Sequence, residues 1–243
     1  MIIIVTGTIA PSSGIKQLEL RNTNERLLQY KSALVSLLIS KPNASIVFCD
    51  NSGFDTESFM DIQSIAKDNR IKFELLSFKG NDEAVIKHGK GYGEGEIIKY
   101  VLTNSRLAKD DNYMIKLTGR LQFVNISDLV KRVQTDRIYF NVPNRRNRKI
   151  YDTRIYAMPI DVFKTYFIEA YKRVDDNKGY YIEHSYTDVI LENQIMTRNF
   201  PVYPRIVGNS GSGGFRYEYK EWKAKIKDLA SKTNFYGRLK RII

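Results

Sequence analysis

The sequence predicts an α/β protein whose mostly parallel central sheet is flanked by helices and followed by a basic helical tail. Over residues 1–78, short apolar runs that end in small polar residues alternate with segments of helical spacing, in the order β-α-β-α-β. The 243 residues, 42% hydrophobic and 27% charged, have an ordinary globular composition and suit one large domain with an appendage. A disordered or fibrous chain is thereby excluded.

The first predicted strand is Ile2 to Val5, a β-branched run closed by Thr6, Gly7 and Thr8. A strand so near the start of an α/β chain is usually central, so we expect it to have neighbours on both sides. After a polar loop a helix is predicted, with Asn24 as its N-cap. Its periodic apolar residues are Leu27, Tyr30, Leu34, Leu37 and Leu38.

The second strand, Ser45 to Cys49, is predicted to end in the polar segment Asp50 to Gly53. A helix is predicted around Phe59 to Ile65 and a third strand at Ile71 to Phe78. The next segment, Gly89 to Gly95, has glycine at every second position, and it is predicted to be a loop that opens a further helix.

The fourth strand, Tyr113 to Leu117, is predicted to stop at Thr118, Gly119 and Arg120. The rest of the body is predicted to hold a helix over 127–133, strands over 137–142 and 153–158 around a basic loop at 144–149, and helices over 161–173 and 183–198.

The chain is predicted to divide into a body (1–207), a flexible glycine and serine loop (208–214) and a basic amphipathic tail (215–243). From residue 216 onward the tail has nine basic and three acidic residues, which is half of the net charge of +12. Two interpretations stay open: a helix docked on the body with its lysines in solvent, or a helix in contact with an anionic membrane surface or an anionic partner. Its predicted apolar face consists of Tyr219, Trp222, Ile226 and Leu229.

Several classes of protein are disfavoured by what the sequence lacks. Cys49 is the only cysteine, so neither an intramolecular disulfide nor a cysteine-rich zinc site is expected. The apolar start is too short for a secretory signal and no run approaches ~20 apolar residues, so we expect a cytoplasmic protein. The phosphate-binding pattern of P-loop enzymes and that of NAD dehydrogenases are both missing.

A nucleotide site is predicted at the carboxyl edge of the sheet, where open α/β sheets bind their ligands. The loops leaving this edge are small, polar or glycine-rich, which lets backbone N–H groups and helix N-termini approach phosphate oxygens. Short α/β loops also have this composition when they bind nothing. The predicted binding residues are Thr6, Gly7, Thr8, Asp50, Asn51, Ser52, Lys90, Gly91, Tyr92, Gly93, Glu94, Lys116, Thr118, Gly119, Ser210 and Gly211.

Three segments resemble the GT-A class of nucleotide-sugar glycosyltransferases, in particular small bacterial enzymes that build O-antigen or capsular polysaccharide. Phe48 to Asp55 is similar to the nucleoside-binding segment of the large inverting family in that class, and Gly179 to His184 is similar to its late Gly-x-x-x-Glu-Asp segment. Tyr113 to Arg120 is similar to the metal-binding strand, except that Thr118 and Arg120 replace the two aspartates of Asp-x-Asp. The order of elements matches over roughly residues 1–200.

The resemblance implies transfer of a sugar from a nucleoside-diphosphate sugar to a polysaccharide or lipid-linked glycan, with no cofactor besides this donor substrate. A guanidinium can neutralise a departing diphosphate by bidentate hydrogen bonding, so the loss of the two acids and the presence of Arg120 and Lys116 predict transfer without a metal. A lipid-linked acceptor would bring the protein to the inner face of the plasma membrane, as a peripheral protein held by its tail.

Inverting transfer needs a base, and the resemblance implies Glu183 as the first choice, His184 as the second and Asp188 as the third. Glu183 has an alternative role as an N-terminal helix charge favoured by the helix dipole. For His184 a structural hydrogen bond is the expected alternative. Arg21 and Arg26 either reach phosphate or are surface cations, and we expect the surface location.

Two other functions stay open. The net charge, the basic segment 144–149 and 16 tyrosines are typical of proteins that bind single-stranded nucleic acid. The basic residues concentrate in one loop and the tail, however, and no recognised binding motif is present, so we expect no nucleic-acid partner. An S-adenosylmethionine-dependent methyltransferase would share the fold class but needs a G-x-G loop after the first strand, which Thr6 to Pro11 does not supply.

Overall fold

The computed structural model of the protein describes residues 1–14, 20–141, 150–209 and 216–232. The predicted basic loop at 144–149 and the predicted binding residues Ser210 and Gly211 lie outside these ranges. The strands of the described part are β1 (Ile2–Gly7), β2 (Ser45–Asp50), β3 (Phe73–Ser77), β4 (Tyr113–Thr118), β5 (Gln122–Phe123), β6 (Tyr139–Asn141), β7 (Asp152–Pro159), β8 (Ile206–Asn209) and β9 (Arg216–Tyr217).

Six of these strands form the central sheet, in the order β3-β2-β1-β4-β7-β6. The first four run parallel, β7 runs antiparallel to β4, and β6 runs antiparallel to β7. The predicted mostly parallel sheet is therefore confirmed, with β1 between two neighbours. Because β7 is reversed, its first residues lie beside the carboxyl end of β4. The short strands β5, β8 and β9 form a separate antiparallel sheet.

Helices cover both faces of the central sheet, and none in the described ranges combines the length and apolar character needed to cross a bilayer. They are α1 (Thr23–Ile39), α2 (Met60–Asp68), α3 (Asp82–His88), α4 (Lys90–Asn104), α5 (Arg106–Lys109), α6 (Ile126–Arg132), α7 (Ile160–Val162), α8 (Ile182–Glu192) and α9 (Glu221–Lys232). The helix predicted over 161–173 is irregular: α7 continues into a π-helical turn, Phe163–Phe167, and a 3₁₀ turn, Ala170–Arg173.

Strand β1 shows how the sequence builds two cores at once. Alternate side chains of a strand point to opposite faces, so Ile3 and Val5 pack with α1, α2 and α6, while Ile2 and Ile4 pack with α4, α7 and α8. All four side chains are buried. A continuous apolar run is what a strand covered by helices on both faces requires.

Two predicted helix boundaries are wrong for local reasons. The N-cap of α1 is Asn22 rather than Asn24, since the Asn22 side chain accepts a hydrogen bond from the N–H of Glu25. Helix α8 stops at Glu192, well before residue 198, because Gln194 adopts a left-handed backbone conformation with φ of 52°.

The predicted glycine loop at 89–95 is also wrong, because most of it is helical. Only Gly89, with φ of 102°, interrupts the helical conformation between α3 and α4. Gly91, Gly93 and Gly95 lie in the first turns of α4. A Cβ atom on Gly95 would overlap the ring of Tyr171. These glycines therefore let α4 pack closely against its neighbours, and that packing outweighs their low helix propensity.

The predicted boundary between body and tail falls inside a strand, since Gly208 and Asn209 belong to β8. Helix α9 of the tail docks on the body through its acidic face: Arg205 bonds both Glu221 and Asp228, and Asp228 also accepts the N–H of Tyr203 at 2.6 Å. The predicted apolar face points elsewhere. Trp222 and Ile226 are each 60% exposed and Leu229 is 65% exposed.

Candidate functional site

A cavity of about 860 Å³ opens at the carboxyl edge of the parallel strands. It is lined by the segments that follow β1, β2 and β4, by the first turns of α4 and α8, and by the first residues of β7. Small-molecule pockets typically enclose about 300 to 1,000 Å³. The cavity thus has the size of a ligand site and lies at the predicted edge of the sheet.

Asp50 organises the loops at this edge but does not line the cavity. Its buried carboxylate accepts hydrogen bonds from the backbone N–H groups of Ile9 at 2.8 Å, Ser52 at 2.9 Å and Phe54 at 3.0 Å. The Ser52 hydroxyl donates to it as well. Asp50 is thus placed behind the cavity wall, where its oxygens hold the first two loops together, and its contact with a nucleotide stays a prediction.

The predicted binding residues Thr6, Gly7, Thr8, Asn51 and Ser52 form one wall of the cavity. The hydroxyl of Thr8 donates to the amide oxygen of Asn51 at 2.6 Å, which ties the loop after β1 to the loop after β2. This wall consists of small side chains and backbone, so a ligand can approach it closely.

Two arginines flank this wall. Arg26 is buried, contrary to its predicted surface location, because its guanidinium donates to the carbonyl oxygens of Thr8 at 2.8 Å and Leu20 at 3.0 Å. Arg120 lines the cavity, and its Nη1 donates to Oε1 of Gln29 at 3.0 Å. Burial lowers the pKa of Arg120 from its ordinary value, yet a guanidinium stays protonated at neutral pH.

The N-terminus of α4 is occupied by a carboxylate of the same chain. Asp176 accepts the N–H of Lys90 at 2.8 Å and also that of Gly91, and burial raises the pKa of Asp176. These N–H groups are therefore directed at Asp176 rather than at the predicted phosphate. Helix α4 instead presents Lys90, Gly91, Gly93 and Glu94 to the cavity. Burial lowers the pKa of Lys90, and the nearby carboxylate of Asp176 opposes that effect.

Tyr92 and Gly119, two further predicted binding residues, do not line the cavity. The ring of Tyr92 packs against His88 and Tyr171, with ring centroids 5.5 and 4.9 Å apart. The N–H of Gly119 donates to the carbonyl of Thr6 at 3.0 Å, and a Cβ atom at this position would overlap that carbonyl. Both residues shape the site from behind.

Lys116 lies beneath the cavity and is fully buried, so its predicted contact with phosphate is wrong. Its ammonium donates to Oε1 of Glu94 at 2.6 Å, to the hydroxyl of Thr118 at 3.0 Å and to the carbonyl of Thr153 at 2.8 Å. An ammonium has three N–H donors, and each has an acceptor here. Glu94, Thr118 and Thr153 all line the cavity and separate Lys116 from it.

Glu183, the predicted base, lines the cavity at the start of α8. Its Oε1 accepts a hydrogen bond from the hydroxyl group of Thr153 at 2.8 Å. Burial raises the pKa of Glu183, and the charges of Glu94 and Asp152 add to this effect. A carboxyl group with a raised pKa is a better proton acceptor near neutral pH than an exposed one.

His184, the second choice for the base, does not line the cavity. Its Nδ1 accepts the backbone N–H of Tyr181 at 3.1 Å and caps α8, while its ring packs against Tyr180 and Tyr181. The third choice, Asp188, accepts the hydroxyl proton of Tyr180 at 2.5 Å and also lies outside the lining. His184 therefore has the structural role given as its alternative, and Glu183 is the only one of the three at the cavity.

The cavity lining also includes residues that the sequence did not indicate, among them Asp152, Thr153, Arg154 and Asp176. Arg154 donates to both carboxylate oxygens of Asp152, at 2.8 and 2.6 Å, and its guanidinium lies 4.6 Å from the ring centre of Tyr217. The strand at 153–158 was predicted, but only its reversed direction brings its first residues to the site. Asp176 meets α4 through a contact between residues 86 positions apart, for which the sequence holds no signal.

The divalent metal that the GT-A resemblance implies does not fit the residues present. Thr118 and Arg120 stand at the end of β4 in place of the two aspartates, and Arg120 adds a positive charge to the cavity. In the four described ranges no three His, Cys, Asp or Glu side chains converge in a way that could hold a metal ion. Metal-independent transfer stays a prediction.

No model of a known protein family matches the sequence, and no curated protein matches it. Among solved structures, the fold is similar to that of a protein from Desulfovibrio desulfuricans G20 assigned as a nucleotide-diphospho-sugar transferase (TM-score 0.48, 9% identity, 79% of this chain and 76% of that chain covered). It is also similar to the nucleoside-diphosphate-sugar pyrophosphorylase from Vibrio cholerae RC9 (TM-score 0.44, 14% identity, 79% and 88% covered). At these identities the likeness concerns the chain fold alone.

Proposed function

We propose that the protein is a glycosyltransferase that moves a sugar from a nucleoside-diphosphate sugar to a hydroxyl group of a glycan acceptor. The observation that carries this proposal is one cavity whose lining includes the cations Lys90 and Arg120 and the carboxylate of Glu183, which a threonine hydroxyl holds in place. The other two cations of the lining are engaged by the chain itself, Arg26 by carbonyl oxygens and Arg154 by Asp152. Cations suit a departing diphosphate, and a carboxylate of raised pKa suits removal of a proton from an acceptor.

The nucleoside is assigned to the wall formed by Thr6 to Thr8 with Asn51 and Ser52. The diphosphate is assigned to the space between Lys90 and Arg120, where an ammonium and a guanidinium line the same cavity. Because Asp176 already occupies the N-terminus of α4, the phosphates are bound by these side chains rather than by the helix.

The proposed reaction is a single displacement. Glu183 removes the proton from the acceptor hydroxyl as its oxygen forms a bond to the anomeric carbon of the donor sugar. The bond from that carbon to the phosphate oxygen breaks, and its electron pair leaves with the nucleoside diphosphate. Lys90 and Arg120 stabilise the negative charge that develops there. One displacement inverts the configuration at the anomeric carbon.

Calorimetric titration with UDP, GDP, CMP and their sugar conjugates tests the proposal. We expect one nucleotide and its sugar conjugate to bind with a 1:1 stoichiometry, and we expect the wild-type protein to release the free nucleotide from that conjugate when oligosaccharides are added. If none of these nucleotides binds, or if S-adenosylmethionine or an oligonucleotide binds instead, the proposal fails.

Transfer is expected to proceed without a divalent metal, because Arg120 stands where the aspartates of the metal motif would be. Release of the nucleoside diphosphate should be unchanged within about twofold by excess EDTA, since cationic side chains supply the charge stabilisation that a metal would otherwise provide. The measurement is the initial rate in EDTA, and in EDTA with excess Mn²⁺ or Mg²⁺ restored. Activity that EDTA abolishes and Mn²⁺ restores would contradict the prediction.

A polysaccharide or lipid-linked glycan is the proposed acceptor, in line with the resemblance to bacterial surface-polysaccharide enzymes. The tail supports this assignment. Trp222 and Ile226 are exposed on α9, and the exposed lysines Lys223 and Lys225 lie on the same helix. An exposed apolar face beside cations suits an anionic membrane surface, where each nearby cation contributes about 1 kcal/mol.

Full-length protein is therefore expected to bind vesicles that contain phosphatidylserine or phosphatidylglycerol at low salt, and to be released at 1 M salt, where the Debye length is ~3 Å. The double substitution Trp222→Ser/Ile226→Ser should weaken binding in sedimentation assays by more than tenfold. Leu28→Ser, at an exposed leucine on α1, is the matched control. Equal binding by all three proteins, or binding to neutral vesicles as strong as to anionic ones, would show that α9 is a structural helix only.

A further inference from the structure

We propose that Glu94 and Lys116 form the subsite that recognises the transferred sugar: Lys116 holds Glu94 from below, and Glu94 accepts hydrogen bonds from the hydroxyl groups of that sugar. Glu94 is thus the specificity-determining residue and Lys116 is a positioning residue. This inference rests on the proposed function and deepens it, since it assigns the part of the cavity that the nucleotide and the base leave open.

The burial of Lys116 is the first observation. A lysine side chain at 0% exposure in the middle of a sheet is costly unless its charge is paired and all its donors are satisfied. Lys116 meets both conditions with three acceptors, and every one of them lines the cavity. The lysine therefore fixes the floor of the cavity rather than a distant part of the core.

The state of Glu94 is the second observation. Oε1 of Glu94 lies 2.6 Å from the ammonium of Lys116, and the Glu94 side chain is 21% exposed at the cavity. A carboxylate whose counter-ion lies behind it is an acceptor only, with room for further donors. Neighbouring hydroxyl groups of a sugar are donors of that kind, and their hydrogen bonds to a charged oxygen are stronger than those to a neutral one.

The spacing along α4 is the third observation. Lys90 and Glu94 are four residues apart on one helix, so their side chains emerge from the same face, about 5 to 6 Å apart at Cβ. A cation for the phosphate and an acceptor for the sugar at that spacing match the two joined parts of a nucleotide sugar. Glu183 lies close enough for the charge of Glu94 to raise the pKa of Glu183. The base and the carboxylate that binds the sugar hydroxyl groups therefore lie at the same end of the cavity.

Glu94→Gln is the sharpest test, because glutamine keeps an oxygen for Lys116 but turns its second acceptor into an N–H donor. The probes are UDP, GDP and CMP, and the sugar conjugate of whichever nucleotide binds the wild-type protein. We expect the affinity for the conjugate to fall about 10- to 100-fold, as for the loss of a charged hydrogen bond. The affinity for the nucleotide alone should change less than twofold. Glu83→Gln, an exposed residue on α3, is the matched control.

Lys116→Met tests the positioning role. It should reduce the affinity for the conjugate to the same extent as Glu94→Gln while the affinity for the nucleotide alone is preserved, and the double variant should lose no more than either single variant. A general structural defect would instead weaken the binding of nucleotide and conjugate alike. If Lys116→Met does not fold, Glu94→Gln decides the question by itself.

The outcomes separate the two proposals. A wild-type protein that binds none of the nucleotides overturns the proposed function, and the sugar subsite with it. A wild-type protein that binds a conjugate more tightly than its nucleotide, together with a Glu94→Gln variant that keeps this difference in full, overturns the subsite alone.

Discussion

Glu183→Gln is expected to lower the turnover number about 100- to 10,000-fold, the range in which a positioned base contributes to catalysis. Glutamine has nearly the shape of glutamate and can still accept a hydrogen bond from the hydroxyl group of Thr153. The cavity therefore keeps its form while the base is lost. The measurement is the rate of nucleoside diphosphate release at saturating donor, with the oligosaccharide acceptor that supports wild-type activity. The Michaelis constant for the donor should change little.

The pH dependence of kcat/KM is a second test of the role of Glu183. Burial raises the pKa of Glu183, and the base works only when it is ionised, so wild-type kcat/KM should rise with pH through a pKa above the ordinary glutamate value of ~4.3. This acid limb should be missing in Glu183→Gln. A variant with wild-type turnover, or one that keeps the acid limb, would assign the base elsewhere, and Asp176 would be the next carboxylate to test.

Stability distinguishes loss of the base from loss of the fold. A carboxyl group whose pKa is raised by folding stabilises the native state below the unfolded pKa and loses that contribution as pH rises through the folded pKa. Ionised Glu183 therefore costs stability at neutral pH, and Glu183→Gln should unfold at an equal or higher denaturant concentration. Glu192→Gln, at the exposed end of the same helix, is the control for both activity and stability.

The sequence predicted the sheet because its signals are local. Ile2 to Val5 is apolar on every residue, and a strand buried on both faces needs that pattern whatever surrounds it. Ser45 to Cys49 and Tyr113 to Leu117 repeat the signal, so three parallel strands and the edge that carries the cavity were predictable. The reversed direction of β7 was not predictable, since no residue pattern in 152–159 indicates whether the strand runs parallel or antiparallel to its neighbours.

The errors at the site come from contacts between distant segments. Asp50 lies where the resemblance places a ligand-binding acid, but its carboxylate oxygens already accept hydrogen bonds from the backbone N–H groups of Ile9 and Phe54. Arg26 is buried because two carbonyl oxygens satisfy it, although arginine is usually exposed. Gly91 to Gly95 is helical because neighbouring side chains need the space that glycine leaves. The distant partners Ile9 and Thr8 lie 41 and 18 residues from Asp50 and Arg26, so no local pattern announces them.

Glu183 was predictable for a different reason. Its place at the start of a late helix is a local feature, and the resemblance supplied the role proposed for it. Its raised pKa was not predictable, since burial and the charges of Glu94 and Asp152 belong to other elements. Sequence patterns thus placed Glu183 at the carboxyl edge of the sheet, and the structure shows which charged groups surround it.

Arg120→Ala is expected to cost about 2 to 4 kcal/mol of transition-state stabilisation, as the loss of one oxyanion donor does. This corresponds to a decrease in kcat/KM on the order of 30- to 1,000-fold. Arg120 is the cation at the end of β4, and the charge of the leaving diphosphate is fully developed only as the bond to the sugar breaks. The loss should therefore be larger in kcat than in the affinity for the donor.

Arg120→Lys should recover only part of the activity, because an ammonium keeps the charge but cannot form two parallel hydrogen bonds to phosphate. Added guanidinium chloride at millimolar concentration should partly restore the activity of Arg120→Ala and leave that of Arg120→Lys unchanged.

Arg132→Ala removes an exposed arginine on α6, away from the cavity, and controls for the change in net charge. A full loss of donor affinity with unchanged kcat would place Arg120 in ground-state binding. Wild-type kinetics in Arg120→Ala would leave Lys90 as the cation that receives the leaving group.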